Sequence, residues 1–330
     1  MKNFWKDKRV MVTGGAGFIG SRLCEFLVDE GAIVSVADNL ERGTKENLSN
    51  IIDKIKLLET DLSNIDNCIK ATRGYNIVMN LAAKACGVEY SQTHHGEMLT
   101  YNALLGLNVL EACRINRVQR VLVVSTSCVY PDYANTPTKE KDFCHDPESV
   151  NDGYAWGKII MEKQAEYYHK EYDMNIAIAR PNNAYGAGDV FDGEKSHVIP
   201  ALIDRIMKGE NPITIWGSGK QSRAFIHRND VAKAFMLLVE KYAKGVPVNV
   251  GHEKDITIAD LAKKICEIIG VDRPFVFDTT KPEGSPKKSL STVLLKNATG
   301  FSPETSIEDG LKEMIAEYCM SWIDPNNASR

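Results

Sequence analysis

The feature that most constrains this chain is a glycine-rich turn, TGGAGFIG, at residues 13–20. A β-branched run, RVMVT, comes directly before the turn, and an amphipathic stretch, SRLCEFLVDEG, follows it. Gly14, Gly17 and Gly20 let the backbone approach a pyrophosphate closely, and the partial positive charge of a helix N-terminus also attracts that group. Glycine turns are common, but one placed between a strand and a helix predicts a dinucleotide-binding site.

An acidic residue, Asp38, ends the second apolar run of the chain. At this position in a dinucleotide-binding fold, a carboxylate accepts hydrogen bonds from the adenosine ribose hydroxyls and repels a 2′-phosphate. The sequence therefore predicts NAD as the cofactor, with NADP less favoured. Arg42 follows four residues later, and a nearby arginine could instead admit NADP.

Short β-branched runs alternate with helical patterns from Arg9 to about Arg180. The runs are RVMVT (9–13), IVSVA (33–37), KIKLL (54–58), IVMNL (77–81), VLVVS (121–125) and NIAIA (175–179). Continuous apolar strands separated by helices are typical of a parallel sheet covered on both faces. The pattern predicts a Rossmann-type, doubly wound α/β domain that binds ligands at the carboxyl ends of its strands.

The pattern changes after Pro181, where the chain becomes rich in turns such as GAGDVFDGEK, WGSGKQ and KPEGSPKK. Three further helical patterns lie near 198–208, 230–243 and 258–269. We therefore predict a cofactor-binding domain over residues 1–180. A smaller, mixed α/β substrate domain is predicted over residues 181–330, with some of its segments returning to the first sheet.

Charge and composition exclude several classes of protein. A net charge of -4 provides no basic surface for nucleic acid, and no apolar run reaches the roughly 18 residues of a membrane span. The first residues, MKNFWKDKRV, lack the apolar stretch of a signal peptide. Eight cysteines are scattered without a CxxC pair, which favours the reducing cytoplasm. The adjacent His94 and His95 would point apart on a helix, so we predict no metal site.

Tyr154 and Lys158 are spaced i, i+4 in the helical stretch DGYAWGKIIMEKQAEYYHKEY, so they share one helix face. The ordinary pKa of a phenol is about 10, and a neighbouring ammonium lowers it by stabilising the phenolate. The lysine can also hold the nicotinamide ribose. Thr126, at the end of the fifth strand, is a candidate to share a substrate oxygen with the tyrosine. Such a pair often arises by chance, but together with Thr126 and the glycine turn it predicts hydride-transfer chemistry.

The glycine turn, NLAA, Thr126 and YAWGK together resemble the extended short-chain dehydrogenase/reductase superfamily over essentially the whole chain. Within it, SCVYP, NNAYG, SHVIPALI, WGSGKQSRAF and KPEGSPKK are similar to the GDP-L-fucose synthases, with the GDP-mannose 3,5-epimerases next. The resemblance implies hydride transfer at C4 of a hexose, GDP-linked in these families, with the nucleotide held by the C-terminal domain. It also implies a homodimer formed by the helical stretches 99–114 and 154–172.

A carbonyl at C4 makes the hydrogens on C3 and C5 acidic, and inverting those centres needs a base on one ring face and an acid on the other. Cys128 and His197 can titrate in the required range. Both match the acid/base pair of the GDP-L-fucose synthases, whereas the 3,5-epimerases resemble them at the cysteine and carry lysine in place of the histidine. A buried core cysteine and a helix-capping histidine are the structural alternatives.

The resemblance implies further contacts. Those to the cofactor are Phe18, Ile19, Asn39, Asp61, Leu62, Leu81, Ala82, Ala83 and Pro181. Those to the substrate are Asn183, Val198, Arg205, Trp216, Arg223 and Glu283. The planar guanidinium of Arg223 suits a diphosphate. Glu283 stands where fucose synthases usually carry aspartate, and Asp38 departs from their use of NADPH.

The leading hypothesis is therefore a nucleotide-sugar epimerase and reductase with Cys/His chemistry at C3 and C5. An NAD-type pocket suits an enzyme that keeps and recycles its cofactor, which leaves a redox-neutral 3,5-epimerase open. A 4-epimerase or 4-dehydrogenase, in which Cys128 and His197 are incidental, is also open. A non-catalytic dinucleotide sensor on the same fold is the remote alternative, because it would not need the Tyr154 and Lys158 pair.

Overall fold

The computed structural model describes residues 3–191, 196–281 and 285–323. The strands are β1 (Arg9–Thr13), β2 (Ile33–Asp38), β3 (Lys56–Glu59), β4 (Ile77–Asn80), β5 (Arg120–Val124), β6 (Asn175–Pro181), β7 (Ala184–Tyr185), β8 (Ile213–Trp216), β9 (Ser222–Ala224), β10 (Ile226–His227), β11 (Pro247–Val250), β12 (Asp255–Thr257), β13 (Phe275–Asp278) and β14 (Lys287–Lys288). The α-helices are α1 (Phe18–Asp29), α2 (Ile65–Thr72), α3 (Val88–Thr93), α4 (His95–Ile115), α5 (Asp152–Tyr172), α6 (Val198–Met207), α7 (Arg228–Lys241), α8 (Ile258–Ile269), α9 (Val293–Thr299) and α10 (Ile307–Ile323).

The main sheet has seven strands in the order β11-β6-β5-β4-β1-β2-β3, and all of its neighbouring strands are parallel. The chain winds outward from β1 in one direction to β3 and in the other direction from β4 to β11. The crevice where the direction reverses, between β1 and β4, is the usual ligand position in such sheets. The predicted doubly wound parallel sheet is confirmed.

Hydrophobic cores cover both faces of this sheet. One core joins the sheet to α1, α7 and α9 through residues such as Leu23, Phe235 and Leu295. The other joins it to α2, α4 and α5 through residues such as Leu110 and Met161. Burial on both faces explains why the strands are apolar runs without alternation.

The third and sixth strands differ most from the sequence pattern. The third run was expected at 54–58, but residues Ile52–Lys54 form a 3₁₀ turn and the strand is Lys56–Glu59. The sixth strand continues beyond 179 to Pro181. The edge strand Pro247–Val250 comes from the C-terminal half and pairs with β6, as expected for segments that return to the sheet.

The remaining C-terminal segments form small sheets and helices around a third core. The sheets are β12-β9-β14, β13-β8 and β10-β7. Residues such as Ile203, Ile213, Leu261 and Leu311 from α6, β8, α8 and α10 fill the core. Within the described residues, no helix is both long and apolar enough to cross a membrane.

Candidate active site

The glycine turn forms a close backbone cradle at the carboxyl end of β1. Gly14 has a φ of 66°, and a Cβ there would lie 2.9 Å from the backbone of Ala82. A Cβ on Gly20 would lie 2.2 Å from the carbonyl oxygen of Gly14. Gly17 precedes the first residue of α1, and no side chain caps that N-terminus. The first turn of α1 therefore presents backbone N–H groups and a positive dipole end to a ligand.

Asp38 is held against this turn by two backbone hydrogen bonds. Its Oδ2 accepts from the Ala16 N–H at 3.0 Å, and its Oδ1 accepts from the Leu40 N–H at 2.9 Å. Burial raises the pKa of Asp38, and the backbone N–H groups act in the opposite direction. The carboxyl group is therefore fixed at the end of β2, beside the turn, where the adenosine ribose is expected.

Arg42, the residue that could admit NADP, is bound to the segment after β4. Its guanidinium donates to the carbonyl oxygen of Ala85, and its positive charge acts on both Tyr154 and His197. The side chain therefore extends from the loop after β2 toward the residues predicted for catalysis.

The other predicted cofactor residues lie at or just beyond the same edge of the sheet. Asn39, Asp61 and Leu62 follow β2 and β3, whereas Leu81, Ala82 and Ala83 follow β4 and Pro181 ends β6. The side chain of Leu62 belongs to the core, so its backbone is the part that can face a ligand. Phe18 and Ile19 form the first turn of α1.

Thr126, Cys128, Tyr154 and Lys158 are brought together where β5 meets the N-terminal part of α5. The Thr126 hydroxyl accepts from the Cys128 N–H at 3.2 Å and is also a hydrogen-bond partner of the Tyr154 phenol. Lys158 Nζ lies 5.7 Å from the centre of the Tyr154 ring and donates to the Val124 carbonyl oxygen at 3.0 Å. The i, i+4 pair thus faces the carboxyl end of β5.

The electrostatic balance at Tyr154 is opposite to the one expected from the sequence. Burial raises the pKa of Tyr154, and the Cys128 sulfur adds to that effect, whereas the Thr126 hydroxyl lowers it. Burial also lowers the pKa of Lys158 to about 8, because the residue is only 2% exposed. Tyr154 therefore retains its proton at neutral pH and is suited to donate it.

Cys128 lies beside an ion pair that the sequence pattern did not identify. Lys288 Nζ is 3.7 Å from the Cys128 sulfur and 2.8 Å from Glu148 Oε2. Burial raises the pKa of Cys128 to about 11, and the charge of Lys288 opposes this increase. Burial also disfavours ionisation of Glu148, but Lys288 outweighs it and holds the pKa of Glu148 at about 2. Cys128 is thus in a polar, charged environment and not in an apolar core.

His197 immediately precedes α6 and is oriented by an aspartate. Its Nδ1 lies 3.1 Å from Asp189 Oδ2, and its ring is 54% exposed, whereas the Asp189 side chain is 5% exposed. The hydrogen bond to the Asp189 carboxylate raises the pKa of His197. With Nδ1 directed at the carboxylate, Nε2 is the ring nitrogen that can face a substrate.

The predicted substrate residues divide into two groups. Asn183 donates to the Ala224 carbonyl oxygen on β9 at 3.1 Å, and the charge of the neighbouring Arg223 acts on Lys288. Val198 follows His197 as the first residue of α6. Asn183 is thus bound to β9, which carries Arg223, and Val198 lies next to His197.

Arg205 and Trp216 lie on α6 and at the end of β8. The Arg205 guanidinium forms two bonds to Glu210, at 2.5 and 2.7 Å, and a third to the Thr214 carbonyl oxygen. A contact between Arg205 and a diphosphate would therefore compete with internal bonds. Trp216 is 48% exposed, with Lys281 Nζ 5.0 Å from its ring centre. Glu283 lies outside the described residues.

Comparison with known proteins identifies the family. The model of the NAD dependent epimerase/dehydratase family matches residues 10–251, which is most of the chain. The chain belongs to this family.

Known relatives match over nearly the full length. A GDP-L-fucose synthase from Sinorhizobium fredii is 32% identical over 322 residues, covering 96% of this chain and 97% of that protein. A GDP-mannose 3,5-epimerase from Oryza sativa subsp. japonica is 27% identical, covering 98% and 84%. The crystal structure of a UDP-glucose 4-epimerase from Thermotoga maritima has a TM-score of 0.87 and 28% identity, covering 95% and 99%. The resemblance stated from the motifs is confirmed, and the chain is an enzyme of the epimerase/dehydratase kind.

The residues of this family member fit a nicotinamide dinucleotide. The cradle at Gly14 and Gly20 has no room for a side chain, so backbone can contact a pyrophosphate there. At the neighbouring strand ends, Asn80 Nδ2 and Ser125 Oγ are buried without a hydrogen-bond partner among the described residues. Buried polar atoms of this kind are usually satisfied by a bound group or by water.

Proposed function

We propose that this enzyme is a nucleotide-sugar epimerase and reductase of the GDP-L-fucose synthase type. The observation that carries the proposal is the cluster of Thr126, Tyr154 and Cys128, in which one hydroxyl contacts both other groups. Such a cluster places hydroxyl groups for a C4 oxygen next to a thiol for a neighbouring carbon. The similarity to a GDP-L-fucose synthase supports a GDP-linked hexose as the substrate.

At C4, Thr126 and Tyr154 bind the sugar oxygen, and Tyr154 donates its proton when the carbonyl is reduced. A bound nicotinamide dinucleotide supplies or accepts the hydride. Lys158 holds the nicotinamide ribose and keeps Tyr154 in position from the same helix face. The raised pKa of Tyr154 favours the acid role over the base role in the resting enzyme.

At C3 and C5, Cys128 and His197 act as the acid/base pair on opposite faces of the ring. A 4-keto group makes the adjacent C–H bonds acidic, so one side chain removes the proton and the other returns one on the opposite face. Asp189 orients the imidazole and stabilises its charged form.

The cofactor is proposed to be NAD and not NADP. The support is the Asp38 carboxyl group fixed at the glycine turn, together with the bond from the Arg42 guanidinium to the Ala85 carbonyl oxygen. Since an NAD pocket suits an enzyme that recycles its cofactor, this same observation favours a second candidate. That candidate is a redox-neutral 3,5-epimerase, as the similarity to the rice protein also suggests.

The proposed organisation follows the sequence boundaries. Residues 1–180 form the cofactor domain, and residues 181–330 mainly hold the nucleotide sugar, with Arg223 directed at the diphosphate. We also propose a homodimer through α4 and α5, whose outer faces expose Tyr101, Leu104 and Ile160.

Replacement of Cys128 by serine tests the proposed function. Serine keeps a similar shape but has a far higher pKa, so deuterium uptake at C3 and C5 should fall by about two to four orders of magnitude. Hydride transfer at C4 should persist, because Thr126, Tyr154 and Lys158 are unchanged. The substrate for exchange is a GDP-hexose carrying a 4-keto group, observed by NMR at each carbon, with cofactor absorbance recorded in parallel.

The matched control for this test is Cys144→Ser, because Cys144 is an exposed cysteine outside the cluster. It should exchange both protons at the rate of the unmodified enzyme. If Cys128→Ser also exchanges both protons at that rate, the C3/C5 mechanism is wrong and a 4-epimerase or 4-dehydrogenase becomes the better candidate. The cofactor that copurifies, identified by mass, tests NAD against NADP in the same preparation.

A further inference from the structure

Cys128 is joined to two charged side chains that come from distant parts of the chain. Lys288, on β14, is 160 residues away in sequence, and its Nζ lies 3.7 Å from the sulfur. Glu148 lies in the loop before α5, and its backbone N–H donates to the Cys128 carbonyl oxygen at 3.0 Å. The side chains of both residues are largely buried, at 16% and 10% exposure. The geometry therefore fixes an ammonium and a carboxylate beside the thiol.

These two charges have opposite effects on the sulfur. An ammonium within about 4 Å stabilises a thiolate, and charges this close change a pKa by roughly one to three units. The carboxylate repels a thiolate and also holds the ammonium in an ion pair of 2.8 Å. Lys288 therefore has two partners, a carboxylate and a thiol that becomes anionic only when it loses its proton.

Other charged or titratable groups face the same cluster. Tyr154 on α5 is electrostatically coupled to Cys128, and Arg223 on β9 acts on both Lys288 and Glu148. Lys158, also on α5, is directed to the Val124 carbonyl oxygen. Lys288 and Glu148 both contact the sulfur directly: Lys288 Nζ lies 3.7 Å from it, and the Glu148 carboxylate accepts a hydrogen bond from the thiol.

We propose that Lys288 and Glu148 are positioning residues that set the charge on the Cys128 sulfur. Lys288 stabilises the thiolate, and Glu148 restrains Lys288 and keeps the thiol protonated until the reaction needs the base. The proposal rests on the proposed function in its assignment of Cys128 to proton transfer at the sugar ring. It adds the two charged side chains that allow a half-buried thiol to take part in this proton transfer.

The test measures the reactivity of Cys128 in the resting enzyme, without substrate. Iodoacetamide reacts with thiolates, so the alkylation rate of the peptide containing Cys128, followed by mass spectrometry from about pH 7 to about pH 11, reports the thiol pKa. Lys288→Met should slow this rate about tenfold or more at every pH below the midpoint, as one pKa unit changes the thiolate fraction tenfold. Lys288→Arg should restore most of the rate.

Glu148→Gln should have the opposite effect and speed alkylation several-fold, because it removes the repelling charge and releases Lys288. Lys287→Met is the matched control, since Lys287 is the neighbouring residue of β14 and pairs with Asp255 on the surface. It should leave the rate unchanged. Alkylation of the buried Cys24 and Cys113 reports unfolding, which would expose every thiol and speed all reactions together.

Equal pH midpoints for Lys288→Met and the unmodified protein would overturn the proposal, as would slower alkylation in Glu148→Gln. These outcomes are distinguishable from failure of the proposed function, which is judged by deuterium exchange into the sugar. If the variants show the expected changes in alkylation rate but the enzyme shows no deuterium exchange at C3 or C5, the proposed role of Lys288 and Glu148 stands and the proposed sugar chemistry is wrong.

Discussion

At Tyr154, burial matters more than the lysine four residues later. The sequence pattern suggests a phenol made acidic by an ammonium, but Lys158 Nζ is bound to a backbone carbonyl oxygen and the phenol is desolvated. Desolvation disfavours the phenolate, so the residue begins the reaction as an acid. The proposed acid role therefore depends on a neutral hydroxyl.

Tyr154→Phe should leave folding and cofactor binding nearly unchanged while lowering turnover by about two to four orders of magnitude, the usual range for a positioned acid. Stopped-flow measurement of cofactor absorbance gives the rate of hydride transfer. Tyr172→Phe, at the exposed end of the same helix, is the control and should behave as the unmodified enzyme. Normal hydride transfer in Tyr154→Phe would remove this residue from the mechanism.

Asp38→Ala should narrow the preference for NAD over NADP by about tenfold, or ~1.4 kcal/mol in relative binding free energy. The reason is that the carboxylate both accepts from the ribose hydroxyls and repels a 2′-phosphate. Isothermal titration with the two cofactors measures the change. Asp29→Ala removes the same charge at the other end of α1 and should leave the preference as it is. Equal affinities in the unmodified protein would contradict the NAD assignment.

The site residues that could be predicted from the sequence are those that belong to a local sequence pattern. Tyr154 and Lys158 are spaced i, i+4 on a helix, and Thr126 follows the end of a strand. Their proximity therefore follows from the order of the elements. Lys288 and Glu148 have no such spacing relative to Cys128, because β14 is brought near the cysteine by pairing with β9 and by backbone bonds between the following residues and Thr138. The stretch KPEGSPKK contains Lys288, but this stretch indicates a similarity to a family and does not predict where Lys288 lies in the fold.

At the scale of elements, the glycine turn works through close packing between β1, α1 and the segment after β4. Gly20→Ala would place a Cβ 2.2 Å from a carbonyl oxygen and 2.8 Å from the Gly15 Cα, so backbone must move. We expect a loss of about 1–3 kcal/mol in stability and weaker cofactor binding, measured by chemical denaturation and titration.

Gly96→Ala in α4 is the matched control, because a Cβ there meets no atom within 4 Å. It should be neutral or stabilising by up to about 1 kcal/mol, since alanine favours helix. A Gly20→Ala variant with unchanged stability and affinity would show that the turn is not a close-packed cradle.

Strand identity could be predicted because each central strand is covered on both faces and is therefore apolar throughout. The ends of the strands were harder to predict, because they lie where exposure to solvent begins. Ile51 packs into the core directly before the 3₁₀ turn of Ile52–Lys54, so the apolar run in the sequence begins before the strand begins. The short strands of the C-terminal sheets have two to four residues and carry too little pattern to be located.

For the whole molecule, the two sequence halves are not two separate bodies. Strand β11 and helix α7 come from the second half but complete the sheet and one of its cores. Arg120 on β5 also donates to the Val239 carbonyl oxygen of α7. The two halves are therefore joined by shared packing, so the proposed site depends on the complete fold.

We expect two copies of the chain to associate through α4 and α5. Helices α4 and α5 have 21 residues each, so each is about 32 Å long, and their outer faces expose Tyr101, Leu104 and Ile160 at 39% each. A pair of such helices from each copy can bury an area of the order of a stable interface, about 1,600 Å². We expect a dimer in sedimentation analysis, and Ile160→Glu should shift it to monomer because burying an unpaired carboxylate is costly. Val293→Glu, at a more exposed apolar position (58%) at the start of α9, should remain a dimer. A monomeric unmodified protein, or an Ile160→Glu variant that stays dimeric, would contradict this interface.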